Sequence, residues 1–201
     1  MLVGQQATLT RRIADSHVVI VGGTGMLMEA SKALAHRCGI LTSVAGTKRS
    51  LLAMDRAISG TGCEHRLLAL DWSEPDAFVR CVVDYVRRAE VSPSLVLAWL
   101  HNDRLGPRLA TALVPENARC AFFQVRGSAA ANPAGNADAL LQECDVPATI
   151  DYHQIILGFQ IEGGGSRWLR DSEISAGVLT AIDRADALTI VGTVTPWSRR
   201  P

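Results

Sequence analysis

The chain has 201 residues, of which 48% are hydrophobic and 20% charged, a globular composition with room for one well-buried core and little for a second. Its 20 basic and 20 acidic residues cancel, so no global field draws it to nucleic acid or to anionic lipid, and the expected partner is a small molecule. The five cysteines contain no Cys-x-x-Cys pair and the five histidines no His-x-x-x-His pair, which excludes a disulfide framework or zinc cluster of the usual spacing and leaves the expectation of no metal site and a reducing cytoplasm.

Residues 1–16 form a polar leader without the basic, apolar and small-residue pattern of a secretory signal. No apolar run approaches the roughly 20 residues of a membrane-spanning helix. The expectation is a soluble, cytoplasmic protein with one domain over residues 17–201. Residues 17–21 are a short β-branched run that stops at glycine, the pattern of a buried strand. Helical spacing follows over 26–37, with Leu27, Ala30 and Leu34 on one face and Gly39 as a stop. A second strand is expected at 40–45, a helix at 50–58, and a third strand at 65–70 after the Ser59-Gly60-Thr61-Gly62 turn.

Ser73-Glu74-Pro75-Asp76 carries a helix start signal, with Ser73 as the cap, and that helix runs to about Arg88. Strands are then expected at 95–100, 120–125, 150–157 and 188–194, with helices at 104–113, 136–144 and 171–183. The triple glycine Gly163-Gly164-Gly165 reads as a flexible loop. Continuous apolar strands alternating with helices imply a doubly wound, Rossmann-like parallel sheet of about seven strands, covered on both faces. In such a sheet ligands bind beyond the C-terminal strand ends, where the strand order reverses.

At one such end stand Gly22, Gly23, Thr24 and Gly25, followed by Met26 and Leu27. Glycines there let backbone approach a pyrophosphate while the helix start offers free N–H groups and a positive dipole end. A tight turn without ligand is the alternative. After the second strand the chain reads Thr47-Lys48-Arg49, with no acid before Asp55. An acid at that point would hold a ribose 2′-hydroxyl, whereas cationic residues accommodate a 2′-phosphate, so NADP(H) is favoured over NAD(H). Lys48 and Arg49 also fit the solvated start of a helix.

Over residues 17–195 the sequence resembles the short-chain dehydrogenase/reductase superfamily, especially divergent members whose turn reads Gly-x-x-Gly-x-x-Gly. The resemblance is carried by the glycine turn, by Leu70-Asp71-Trp72, by Gly127-Ser128, by Leu157-Gly158-Phe159 and by the stretch from Arg167 to Ile174. It implies that Asp71, with Trp72, meets the adenine, that Ser128 stands where the family has its catalytic serine, and that Gly158 and Phe159 border the nicotinamide. Self-association through outer helices is a further implication.

Two departures stand out. The third glycine position is Met28, and the Tyr-x-x-x-Lys pair that moves the proton in mainstream members is missing. The chain has two tyrosines, Tyr85 and Tyr152, and the residues four further on are Ala89 and Ile156. Tyr152 falls near the start of its strand, roughly 16 Å from the binding edge at about 3.3 Å per residue. Core packing competes with catalysis there.

His101 and Asn102, after the fourth strand, and Ser128, after the fifth, open on the nicotinamide side. His101 and Ser128 are therefore the candidate catalytic residues, and His101 and Asn102 are also candidate cofactor contacts. A solvent-facing loop imidazole and a turn serine are their structural alternatives. Trp168 can pack on a ligand or fill the core, and Arg167 or Arg170 can clamp a carboxylate or phosphate. The functional expectation is an NADP(H)-dependent reductase of a small carbonyl or imine compound. Its alternative is a non-catalytic NADP(H)-binding redox sensor or partner-binding protein.

Overall fold

Seven parallel strands run through the centre of the computed structural model, which describes residues 17–132 and 146–201. The expected leader, the expected helix at 136–144 and Cys144 lie outside the described residues. The sheet elements are β1 (His17–Val21), β2 (Ile40–Ala45), β3 (Glu64–Ala69), β4 (Pro93–Trp99), β5 (Cys120–Arg126), β6 (Ile150–Leu157) and β9 (Leu188–Val191). Their order is β3-β2-β1-β4-β5-β6-β9, and every pairing is parallel. The order reverses between β1 and β4, so the crevice between their C-terminal ends is the ligand position of a doubly wound sheet.

Alternation along each strand feeds two hydrophobic layers. Val18 and Ile20 of β1 join one with Leu97, Phe123 and Ile155, while Val19 and Val21 join the other with Val96 and Phe122. The first layer is closed by α1 (Met28–Ala35) and α5 (Asp171–Arg184), with Met54 of α2 (Lys48–Ala57). The second is closed by α3 (Pro75–Arg87) and α4 (Leu105–Leu113). With both faces covered, β1 is buried throughout, which is why it reads as an unbroken apolar run.

Several boundaries differ from expectation for local reasons. Thr24 to Leu27 make the turn, so α1 starts only at Met28. Thr47 caps α2 by accepting a hydrogen bond from the Ser50 N–H at 3.2 Å, so that helix starts earlier. Ser73 does not cap α3: Glu74 occupies the cap position, and the Ser73 N–H donates to Asp71 Oδ1 at 3.2 Å. β9 ends at Val191 because Gly192, at φ +78°, turns the chain and Thr193 pairs back with Phe159.

The triple glycine is not a loose loop. It closes an antiparallel hairpin of β7 (Phe159–Glu162) and β8 (Gly165–Trp168), with Phe159 opposite Trp168 and Gln160 opposite Arg167. Gly163 and Gly164 sit at φ +57° and +85°, the left-handed conformations that a tight hairpin turn requires.

Candidate functional site

The glycine turn lies at the C-terminal end of β1. Gly22 is at φ +78°, its N–H donates to the Val44 carbonyl at 2.9 Å, and a Cβ there would stand 2.7 Å from the Trp99 carbonyl oxygen. A Cβ on Gly23 would meet Ile20 and Ser31 at 2.5 and 2.6 Å, so this glycine lets α1 pack closely on the sheet. Ser31 reinforces that contact by donating to the Gly23 carbonyl at 3.1 Å. Close packing is therefore supplied at Gly23 although Met28 occupies the family's third glycine position, and Met28 itself lies against the first layer.

Gly25 differs from both. It is exposed, and a Cβ on it would meet nothing within 4 Å. The start of α1 beside it has no side-chain cap. Open space, backbone without Cβ and uncapped amide dipoles suit a pyrophosphate.

Lys48 and Arg49 are exposed in the first turn of α2, and among the described residues neither pairs with a carboxylate. Asp55, the first acid after β2, is engaged elsewhere: its carboxylate meets His65 Nδ1 at 2.8 Å, and His65 in turn bonds Ser43. Asp71 is exposed after β3, while the Trp72 ring packs on Phe78 with centroids 5.3 Å apart. The Trp72 indole nitrogen comes within 3.5 Å of where a Cβ on Gly46 would stand.

His101 is exposed after β4 and stands edge-on to two tryptophans, with ring centroids 5.9 Å from Trp72 and 6.4 Å from Trp99. Asn102 uses its side-chain oxygen to accept from the Arg104 N–H at 3.1 Å, shaping the turn into α4.

A separate cleft of about 260 Å³ opens beyond β5 and β6. Trp99, Gly127, Ser128, Gly158, Trp168 and Arg200 border it. Ser128 is buried, and its hydroxyl oxygen accepts a hydrogen bond from Arg200 Nε at 2.8 Å. The Arg200 guanidinium lies over two indole rings, 5.0 Å from the Trp168 centroid and 5.3 Å from that of Trp197. Trp168 is 46% exposed, so it walls the cleft instead of filling the core.

Thus Ser128, Gly158 and Trp168 are brought together, and His101 is not among the residues that line this cleft; it stands edge-on to Trp99. Phe159 is fully buried, and its N–H and carbonyl are both engaged by Thr193, at 2.8 and 2.9 Å. Gly158 lets that crossing happen, because a Cβ there would stand 2.1 Å from the Thr193 oxygen.

Tyr152 lies within β6, stacked on Phe122 with centroids 5.1 Å apart, and its hydroxyl donates to Gln124 Oε1. Both polar ends press on Gly106 of α4, where a Cβ would stand 2.4 Å from the Gln124 oxygen and 2.5 Å from the Tyr152 oxygen. Its position is that of a packed side chain under a helix.

Arg167 does not face the cleft as a free cation. It donates to Glu162 at 2.6 and 3.1 Å and to Glu173 at 2.8 Å, tying the hairpin to α5. Those bonds, with the Arg170 N–H, hold the Glu173 carboxyl down at about 2. Arg170 is exposed at the cap position of α5.

Arg200 was not legible beforehand. The segment after β9 has no periodic pattern, and its path depends on the Phe159–Thr193 bridge and on Arg199, which donates to the Gly164 carbonyl of the hairpin turn.

The parallel sheet with a glycine turn at its switch point defines a Rossmann-like α/β domain. Solved structures of short-chain dehydrogenases/reductases share this fold. A short-chain dehydrogenase from Sphingobium yanoikuyae in complex with NADPH superimposes with a TM-score of 0.66 at 16% identity, over 91% of this chain and 91% of that one. The NADH-dependent reductase A1-R′ complexed with NAD gives 0.66 at 14% identity, over 90% of this chain and 96% of that one. The bulky-bulky ketone specific alcohol dehydrogenase from Comamonas testosteroni gives 0.67 at 13% identity, over 92% and 89%. No family model and no curated protein matches the chain.

Proposed function

We propose that this protein is an NADP(H)-dependent reductase of a small carbonyl or imine compound. The observation that carries the proposal is the place of Trp99: its carbonyl borders Gly22 at the glycine turn, and its ring borders the cleft that holds Ser128. One residue thus joins a cradle suited to a pyrophosphate with a pocket suited to a small molecule.

The residues present fit a dinucleotide. Gly25 and the uncapped start of α1 suit the pyrophosphate, and Lys48 and Arg49, without a carboxylate partner among the described residues, suit a 2′-phosphate. Asp71 and Trp72 are placed after β3 for the adenine end. Nicotinamide-bound neighbours of the same fold support the class of cofactor. NADPH held there would supply a hydride for the carbonyl or imine carbon, and a proton would be needed at the oxygen or nitrogen.

Ser128 is the group positioned for that atom. Its oxygen accepts from Arg200, so its own O–H is directed to another acceptor, and the Arg200 charge strengthens it as a donor. Trp99 and Trp168 line the pocket with indole surface. Turnover ends with the proton replenished from solvent.

Calorimetric titration with NADPH and NADH, followed by NADPH consumption with a panel of aldehydes, ketones and cyclic imines, tests the proposal. Binding of neither dinucleotide overturns it. Binding without turnover of any compound, together with a partner affinity that differs between NADP⁺ and NADPH, supports instead the sensor reading, which the missing Tyr-x-x-x-Lys pair favours.

A further inference from the structure

The guanidinium of Arg200 is held at three points, none of them an anion. Nε is hydrogen-bonded to Ser128 at 2.8 Å, and the central carbon lies over the Trp168 and Trp197 rings. Among the described residues no carboxylate pairs with it. Three other arginines of this region are engaged elsewhere. Arg167 is shared by Glu162 and Glu173, Arg126 lies buried against Asp103 and Gln154, and Arg199 holds the Gly164 carbonyl.

Fixing Nε on Ser128 leaves the Nη1/Nη2 edge, two parallel N–H groups in the fork geometry that a carboxylate matches bidentately. Stacking on two indoles limits the rotamers of a side chain that is otherwise flexible, so less ordering remains to be done when an anion arrives. The cleft is otherwise walled by apolar groups, Leu157, Leu169 and Ile174 among them, which strengthens a charge pair relative to water.

We infer that Arg200 is the substrate-anion subsite of this cleft, and that the substrate is a small carbonyl or imine compound bearing a carboxylate. The inference rests on the proposal that the cleft is the substrate site. The carboxylate takes the Nη1/Nη2 edge while the reacting oxygen or nitrogen takes the Ser128 hydroxyl, so one side chain sets both the register and the charge of the substrate.

Binding of acid and amide pairs tests this without requiring turnover. Tryptophan fluorescence of the full chain, with and without NADPH, is titrated with 2-oxobutanoate, acetoacetate and 4-oxopentanoate, each against its neutral primary amide. At least one acid is expected to bind about 10- to 100-fold more tightly than its amide, as a charged hydrogen-bonded pair provides. In Arg200→Gln the two should bind alike, in Arg200→Lys the preference should be partly kept, and NADPH affinity should match that of the unmodified protein in both.

Equal binding of acids and amides, no binding of any acid, or a preference that survives Arg200→Gln overturns the inference. Its failure is separable from that of the reductase proposal. NADPH binding with turnover of neutral ketones but not acids leaves the reductase and removes the subsite, whereas acid binding lost in Arg200→Gln without any dinucleotide binding does the reverse.

Discussion

Gly22 and Trp99 meet backbone to backbone at the switch point of the sheet, where a Cβ on the glycine would stand 2.7 Å from the tryptophan carbonyl oxygen. Gly25, three residues further on, faces open space. The two glycines of one turn therefore serve different ends. Gly22 lets β1 and β4 close on each other, and Gly25 leaves the outer side of the turn open.

Gly22→Ala should lower folding stability by about 1–3 kcal/mol, from the left-handed backbone alone, with the clash adding to it. Gly25→Val should leave the urea midpoint nearly unchanged and abolish NADPH binding by calorimetry, because the added methyls would take the space of the pyrophosphate. A folded Gly25→Val protein with unaltered NADPH affinity would place the cofactor elsewhere.

Lys48 and Arg49 bear on the choice of dinucleotide. NADPH is expected to bind at least about tenfold more tightly than NADH, and the double change Lys48→Ser, Arg49→Ser should bring the two together by weakening NADPH alone. Because both side chains are exposed and neither pairs with a carboxylate among the described residues, the urea midpoint should not move. Equal affinities before mutation would assign the two residues to the solvated helix start.

His17 gives the fold a pH dependence. It is fully buried at the start of β1, with Nδ1 donating to the Val91 carbonyl at 2.9 Å and Nε2 meeting the Thr42 hydroxyl at 2.8 Å. Burial, the largest cause, pushes its pKa below the ordinary 6.5. The folded state thus keeps His17 neutral where the unfolded chain protonates it. The stability from this group is present above pH 6.5 and lost as the pH falls from there through the folded value. Urea midpoints measured from pH 7 to about 5 should decline in the unmodified protein, and His17→Gln should flatten that segment. An unchanged slope in the variant would assign the decline to other groups.

Apolar periodicity made the sheet legible because each central strand is buried on both faces, and β1, β2 and β6 fall where the apolar runs place them. The hairpin was not legible as such. Phe159, Ile161 and Trp168 alternate about a glycine turn, but three successive glycines also describe a loose loop, and only the pairing of Gln160 with Arg167 and the ion pairs of Arg167 decide between them. Ser128 could be singled out because it follows a strand. Arg200 could not, because its place depends on a tail whose course is fixed by contacts with Phe159 and Gly164, residues some 35 to 40 positions away in the chain.

Proton supply is where the structure reorders the sequence expectation. By position in the chain, His101 and Ser128 both open on the same side, and histidine is the commoner general acid. In space Ser128 borders the cleft, with Arg200 on its oxygen, whereas His101 stands outside it against Trp72 and Trp99. Ser128→Ala should therefore lower turnover by about 10²–10⁴, the range for a positioned proton donor, with little change in NADPH affinity. His101→Ala should instead act mainly on cofactor affinity, by altering the aromatic edge between the adenine and nicotinamide ends. Single-turnover rates must be compared as well as kcat, since slow product release would mask a chemical defect. Full single-turnover rates in Ser128→Ala, with a large loss in His101→Ala, would return the proton to the histidine and require the substrate to lie beside His101.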